Sequence, residues 1–171
     1  VSNVRLITSD NQEVPLELEQ DGLWQYKNVA LIDFEDGTGA CGEGGNDQLR
    51  TSIIATAPVG EYTGIVFDLG VPFELNHLDV ATAASPLNLD AMWWAWQVGY
   101  KFLRVDMTAN GNPYFIHLGS TGCTSANDTA PPEKPCSYSN RVTVRMDGFD
   151  PKKNFVVADL ASLLNGIELS K

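Results

Sequence analysis

"YTGIVFDLGVPFELNHLDV", residues 62–80, is the stretch whose reading decides the fold. It divides into two strand-like segments, "YTGIVFDLG" and "VPFELNHLDV". In the second, Val71, Phe73 and Leu75 form an apolar row that runs on to His77. Strict alternation predicts a strand with that imidazole on its inward face. Outward in both directions the same cadence of short segments and turn punctuation recurs. "SNVRLIT", "EVPLELE", "LWQYKNVALIDF" and "LRTSIIATA" precede it. "YKFLRVDM", "PYFIHLG", "NRVTVRM" and "NFVVA" follow, with "ATAASPLNLD" reading as loop. Only "DLASLLNG" carries helix punctuation, with Asp159 as N-cap and Gly166 where the chain turns out. This predicts a mainly β chain, an antiparallel sandwich or barrel-like domain with long loops and a short C-terminal helix.

The 171 residues suit one domain, 1–171, and 43% hydrophobic content with 19% charge is that of a globular chain. Eleven basic residues against 22 acidic ones leave a net charge of −11. Such a surface repels phosphate backbones and anionic lipid, which argues against nucleic-acid and membrane-surface roles. No apolar run reaches the roughly 20 residues of a membrane-spanning helix. The chain opens on the strand-like "VSNVRLIT" without a signal peptide, and reads as a processed or truncated product.

Cys41, Cys123 and Cys136 form no CxxC pair, and all lie in loop-like sequence poorly suited to a thiolate metal knuckle. Cys123 and Cys136 bracket a proline-containing loop that a disulfide would tie down, at about 3 kcal/mol in the chain-entropy model. Cys41 is left over, which in an exported chain implies a partner upstream or on another molecule. The compartment is read as oxidising.

The two histidines, His77 and His117, fall on different segments, each among apolar residues. Either each is satisfied by itself in the core, or they converge as a metal site. Imidazole suits copper, zinc, iron and nickel, but zinc takes more protein ligands than this chain readily offers. A cuprous ion accepts fewer, so a histidine pair in an apolar pocket fits Cu(I) best.

"MWWAWQ", residues 92–97, holds Trp93, Trp94 and Trp96. As a strand, Trp94 and Trp96 share one face and Trp93 takes the other. As a short helix from Asp90 to Gly99, Trp93 and Trp96 share a face. Both remain open, as do simple core filling and an exposed platform for sugar stacking.

"VALIDFEDGTGAC", "LGVPFELNHLDVATAASPLNLDAMWWAWQVGYKFLRVD", "HLGSTGC" and "GFDPKKNFVVADLASLL" together resemble the MbnP-like family over nearly the whole chain. This family, also called metallo-mystery pair four-Cys proteins, is more distantly related to the methanotroph copper proteins MopE and CorA. The resemblance implies a β-rich periplasmic or secreted protein, not itself an enzyme, that binds one Cu(I) in copper homeostasis. It also implies a diheme partner of the MauG or cytochrome c peroxidase type that oxidises the first Trp of a WxW motif to kynurenine, enabling copper binding. Here that residue is Trp94, and the metal-binding histidines map to His77 and His117. Kynurenine exposes an amine and a ketone, so modified Trp94 would either ligate copper or shape its surroundings. Trp96 would wall the pocket and keep it dry, with Asp79 in the outer layer. Members carry a further N-terminal segment with a fourth cysteine, absent here, which would explain Cys41 as its partner. The oxidant must come from elsewhere, since the chain has no CxxCH haem motif.

The glycine-rich loop around Asp33, Glu35, Asp36, Glu43 and Asp47 offers oxygen donors to calcium but lacks the spacing of an EF-hand, so it also reads as solvated loop charge. The alternative function, from a different class, is a disulfide-stabilised carbohydrate-binding or adhesion sandwich without metal.

Overall fold

Strand β1 (Ser2–Thr8) buries Ser2, Val4, Leu6 and Ile7 and leaves the positions between them half-exposed, as a strand with one face on a core must. The computed structural model describes residues 1–39 and 47–167. After β1 come the short strands β2 (Glu13–Pro15), β3 (Glu17–Leu18), β4 (Gln25–Tyr26), β5 (Val29–Ala30) and β6 (Ala55–Thr56). Longer elements follow: β7 (Tyr62–Leu69), helix α1 (Phe73–Asn76), β8 (Trp93–Ala95), β9 (Gly99–Ala109), β10 (Asn112–Gly119) and β11 (Val142–Asp147). Helix α2 (Leu160–Leu163) comes last.

All strand pairings among these elements are antiparallel. The six-stranded sheet runs β11-β7-β1-β5-β4, with β2 also on β1; a three-stranded sheet runs β10-β9-β8, and β3 pairs β6. The larger sheet ends at β11 and β4 and does not close on itself, so the architecture is sandwich-like and not a barrel. Val29, Val71, Leu75, Leu87, Tyr100 and Phe102 form one buried cluster. The core therefore lies where β5 of the larger sheet, α1 and β9 of the smaller one meet.

"VPFELNHLDV" is not a strand. Pro72, at φ −59° and ψ 150°, stands at the entrance of α1, and its carbonyl accepts from the N–H groups of Leu75 and Asn76. Proline's fixed φ favours a helix start, and that local effect overrides the alternation. His77 ends up buried, 8% exposed, because it terminates this helix turn and not because it faces inward from a strand. "NFVVA" also forms no strand: Asp150 folds the chain back by accepting from Lys153 and Asn154, and Phe155 and Val157 stay exposed. The C-terminal helix is where it was predicted, with the Asp159 side chain accepting from the Ser162 N–H and Gly166 at φ 85° beyond its end.

β9 and β10 form the longest hairpin, turned by Asn110 and Gly111 at φ 51° and 78°. Positive φ at both turn residues gives the primed turn whose twist matches its strands. The register this hairpin sets brings the candidate site together.

Candidate functional site

β8 pairs Trp93 with Tyr100 and Ala95 with Gly99, with a bulge between them. Trp93 packs on the core cluster, the structural role expected of it, although its indole N–H is buried without a partner. Trp94, on the next residue of the strand, takes the other face and is 39% exposed. Trp96 lies past the end of β8, in the turn, and its ring comes back edge-on to Trp93 with centroids 5.8 Å apart. The segment is thus a strand that gives way to a turn, and Trp96 does not share a face with Trp94. With Trp93 and Trp96 packed on each other, the tryptophans form no flat row for sugar stacking.

The Trp94 ring rests on Gly119 of β10, where a Cβ would sit 2.6 Å from its Cζ3. It meets the His117 ring edge-on, centroids 6.0 Å apart, and Lys101 Nζ lies 5.9 Å from its own centroid. Phe115 tilts against His117 from farther along β10, with centroids 5.8 Å apart. His117 Nε2 is 2.6 Å from Asp106 Oδ1. Arg104, directly opposite His117 across the hairpin, holds the other Asp106 oxygen through Nε at 2.7 Å and Nη2 at 2.5 Å. Burial alone would raise the Asp106 carboxyl, but hydrogen bonds from Arg104 and His117, together with the Arg104 charge, hold it below the usual range. Asp106 and Arg104 were not legible as site residues, because their partnership with His117 exists only in this register.

His77 reaches the same tryptophan segment from the other side. Its Nδ1 lies 3.2 Å from the Trp96 carbonyl oxygen, which can only accept, so Nδ1 carries the hydrogen in the neutral ring. Its Nε2 lies 3.2 Å from Asn76 Nδ2 and 3.8 Å from Cys136 Sγ, and Phe73 packs edge-on with centroids 5.2 Å apart. Burial pushes the imidazole below its ordinary value, and the Trp96 hydrogen bond opposes this only in part. A neutral ring is the metal-binding form.

Asn76, 1% exposed, fixes the turn that follows the tryptophans: its amide donates to the Val98 carbonyl and its Oδ1 accepts from the Tyr100 N–H. Gly99 permits that approach. At φ 79°, a Cβ there would lie 2.5 Å from Asn76 Nδ2 and nearer still to the Asn76 backbone oxygen.

Cys123 and Cys136 are joined as the loop predicted. Among the described residues, His77, Cys123 and Cys136 form the one group of at least three potential metal donors lying within 4.8 Å of one another. Sequence pattern did not foresee this proximity. The disulfide consumes both thiolates, so the imidazole is the one strong donor of the three. No such group contains both histidines: His77 sits with the disulfide and His117 with Asp106. What they share is the WxW segment, one at the Trp96 backbone and the other at the Trp94 ring.

Asp79, expected in the outer layer of a metal pocket, is engaged with its own turn. Its carboxylate accepts from the Ala81 N–H, and its charge adds to burial in pushing Tyr100 up to about 12. Among the described residues of the glycine-rich loop, Asp33, Glu35 and Asp36 use carboxylate oxygens within the loop itself. Asp33 accepts from Glu35 N–H, Glu35 from Gly37 N–H, and Asp36 from the Thr38 N–H and hydroxyl. Cys41 and Glu43 lie outside the described residues. Among the described residues no helix is long and apolar enough to cross a membrane.

The family model for MbnP matches residues 1–171. Among solved structures, MbnP from Methylosinus trichosporium superimposes with a TM-score of 0.73 at 30% identity, covering 88% of this chain. The chain spans 59% of the length of that protein. No curated protein matches. Since the family match runs from end to end and the fold agrees, this chain belongs to the MbnP family.

Proposed function

We propose that this chain is a Cu(I)-binding protein of copper homeostasis, periplasmic or secreted, and the substrate of a diheme partner enzyme. In this reading it has no catalysis of its own. The observation that carries the reading is the placement of both histidines on the WxW segment, His117 against the Trp94 ring and His77 on the Trp96 backbone. Each imidazole is anchored through one nitrogen, at Asp106 or at the Trp96 carbonyl; the other nitrogen of His77 faces Asn76 Nδ2 at 3.2 Å, a contact that a metal there would displace. Two imidazoles in aromatic surroundings, one buried and one partly buried, suit a soft monovalent cargo.

Trp94 is the residue for oxidative conversion to kynurenine. Its exposure lets an external oxidant reach it, and its contact with His117 places any product beside a candidate ligand. Opening the indole inserts oxygen and releases a ring carbon as formate, so a peroxide-using diheme enzyme has to supply the oxidising power. The resulting amine and ketone offer the coordinating atoms that the donor-only indole lacks.

The test is metal analysis and peptide mass spectrometry of residues 90–101 on protein purified with and without the partner enzyme. Stoichiometric copper accompanied by Trp94 oxidation, and lost in His77→Ala and His117→Ala, is the expected result. Copper-loaded protein with intact Trp94 would overturn the kynurenine requirement. Sugar binding without copper would overturn the whole reading.

A further inference from the structure

Asp106 reaches His117 only because the β9–β10 hairpin puts it there. His117 faces Arg104 across the β9–β10 register, and Asp106, two positions further along β9, emerges on the same face. The carboxylate is 8% exposed and pinned on both sides, with Oδ2 on Arg104 and Oδ1 on His117 Nε2. Arg104 is itself fixed: its Nη1 donates at 3.0 Å to the carbonyl of Ala91, where Lys101 Nζ also donates at 2.9 Å. Ala91 belongs to the short 3-10 turn Asp90–Met92 that leads directly into β8. A continuous polar chain therefore runs from the entrance of the tryptophan strand through Arg104 and Asp106 to His117.

We propose that Asp106 is a positioning residue that selects the Nδ1 atom of His117 as its metal-binding nitrogen. The argument is one of hydrogen-bond capacity. An ionised carboxylate only accepts, so the nitrogen 2.6 Å from it bears the hydrogen, and the lone pair of the neutral ring lies on Nδ1. Trp94 and Phe115 flank the ring and oppose its rotation, while the clamped carboxylate opposes a change of tautomer. His77 is set the other way: its Nδ1 is held by the Trp96 carbonyl, so its lone pair lies on Nε2, where the Asn76 amide donates to it. The two histidines thus present opposite nitrogens, each fixed by a different acceptor. The role of His117 as a ligand rests on the copper reading above; its tautomer does not.

The test begins without metal. In the full chain, at a pH high enough that both imidazoles are neutral, ¹⁵N spectra should show His117 as the Nε2–H tautomer and His77 as the Nδ1–H tautomer. Asp106→Ala should mix the His117 tautomers and leave His77 unchanged, whereas Asp106→Asn, which keeps a carbonyl acceptor, should largely preserve the wild-type form. An Nδ1–H His117 in the wild type, or an unchanged tautomer in Asp106→Ala, overturns the proposal.

The second measurement is Cu(I) competition against a chromophoric chelator, using protein matured by the diheme partner. Asp106→Ala should weaken affinity about 10- to 100-fold at unchanged stoichiometry, with partial recovery in Asp106→Asn. Wild-type affinity in Asp106→Ala, with copper lost in His117→Ala, overturns the positioning role while leaving the copper reading intact. Wild-type copper affinity in His117→Ala overturns the copper reading instead, and the tautomer result then decides the Asp106 assignment alone.

Discussion

The surroundings of His77 and of His117 solve the same problem, holding an imidazole still, by opposite means. His77 closes a one-turn helix, is 8% exposed, and is held by backbone, by its neighbour Asn76 and by a disulfide wall. His117 stands on a long strand with its side chain 21% exposed, and is held by side chains from the facing strand. The first is rigid because the chain around it is cross-linked and tightly turned; the second is rigid because a register is correct. Damage to the two should therefore differ in kind. Disturbing the His77 side should cost fold stability, and disturbing the His117 side should alter the site with less effect on the fold.

The largest effect that tests this contrast is expected at Gly99. Gly99→Ala adds the cost of positive φ to that of forcing Asn76 aside, about 4 kcal/mol together, read as a fall in Tm. The His77 resonance should move with it. An unchanged Tm would show that the turn is not tied to Asn76 as described. Next, replacing Cys123 and Cys136 by serine opens the covalent loop behind His77 and should cost about 3 kcal/mol. If His117 responded as strongly as His77, the separation of the two environments would fail.

On the other side, Gly119→Ala pushes a methyl group toward the Trp94 ring. The ring is 39% exposed and has room to give, so about 1–2 kcal/mol is expected. The changes in tryptophan fluorescence and in the His117 resonance should exceed those of His77. A stability loss as large as that of Gly99→Ala would mean that Trp94 is as much a part of the fold as Asn76 is.

The same contrast explains what the sequence made legible. Alternation and turn residues are local, so the mainly antiparallel β class, the Asp159-capped helix and the Cys123–Cys136 loop could be read directly. The row Val71, Phe73, Leu75 mimics a strand although Pro72 starts a helix turn, so alternation places His77 in the interior through the wrong element. The exposed "NFVVA" segment shows the complementary error: strand-forming residues do not make a strand when no ladder receives them. Asp106 could not be found because its relation to His117 spans the hairpin. The local signal that would have revealed it is Asn110-Gly111, the dipeptide favoured by a two-residue primed turn, from which the register follows.

The smallest expected effect concerns acid and serves as the control for both regions, because it originates in the other sheet. Asp68 on β7 is largely buried, which alone would raise its carboxyl. Hydrogen bonds from Asn3 and Thr143 and the charges of Arg141 and Arg5 outweigh burial and hold it below the usual range. A carboxyl depressed in the folded state contributes stability that is fully present above its unfolded value, near 3.9. That stability is lost as pH falls from there through the folded value. Asp68→Asn keeps the shape and an acceptor oxygen but cannot titrate, so its unfolding free energy should fall less steeply than the wild type's below about pH 4. Above that pH the variant should be modestly less stable, because Arg141 and Arg5 lose their counter-charge. If instead the two curves stayed parallel down through the acid limb, Asp68 would not be the group whose protonation loosens the larger sheet.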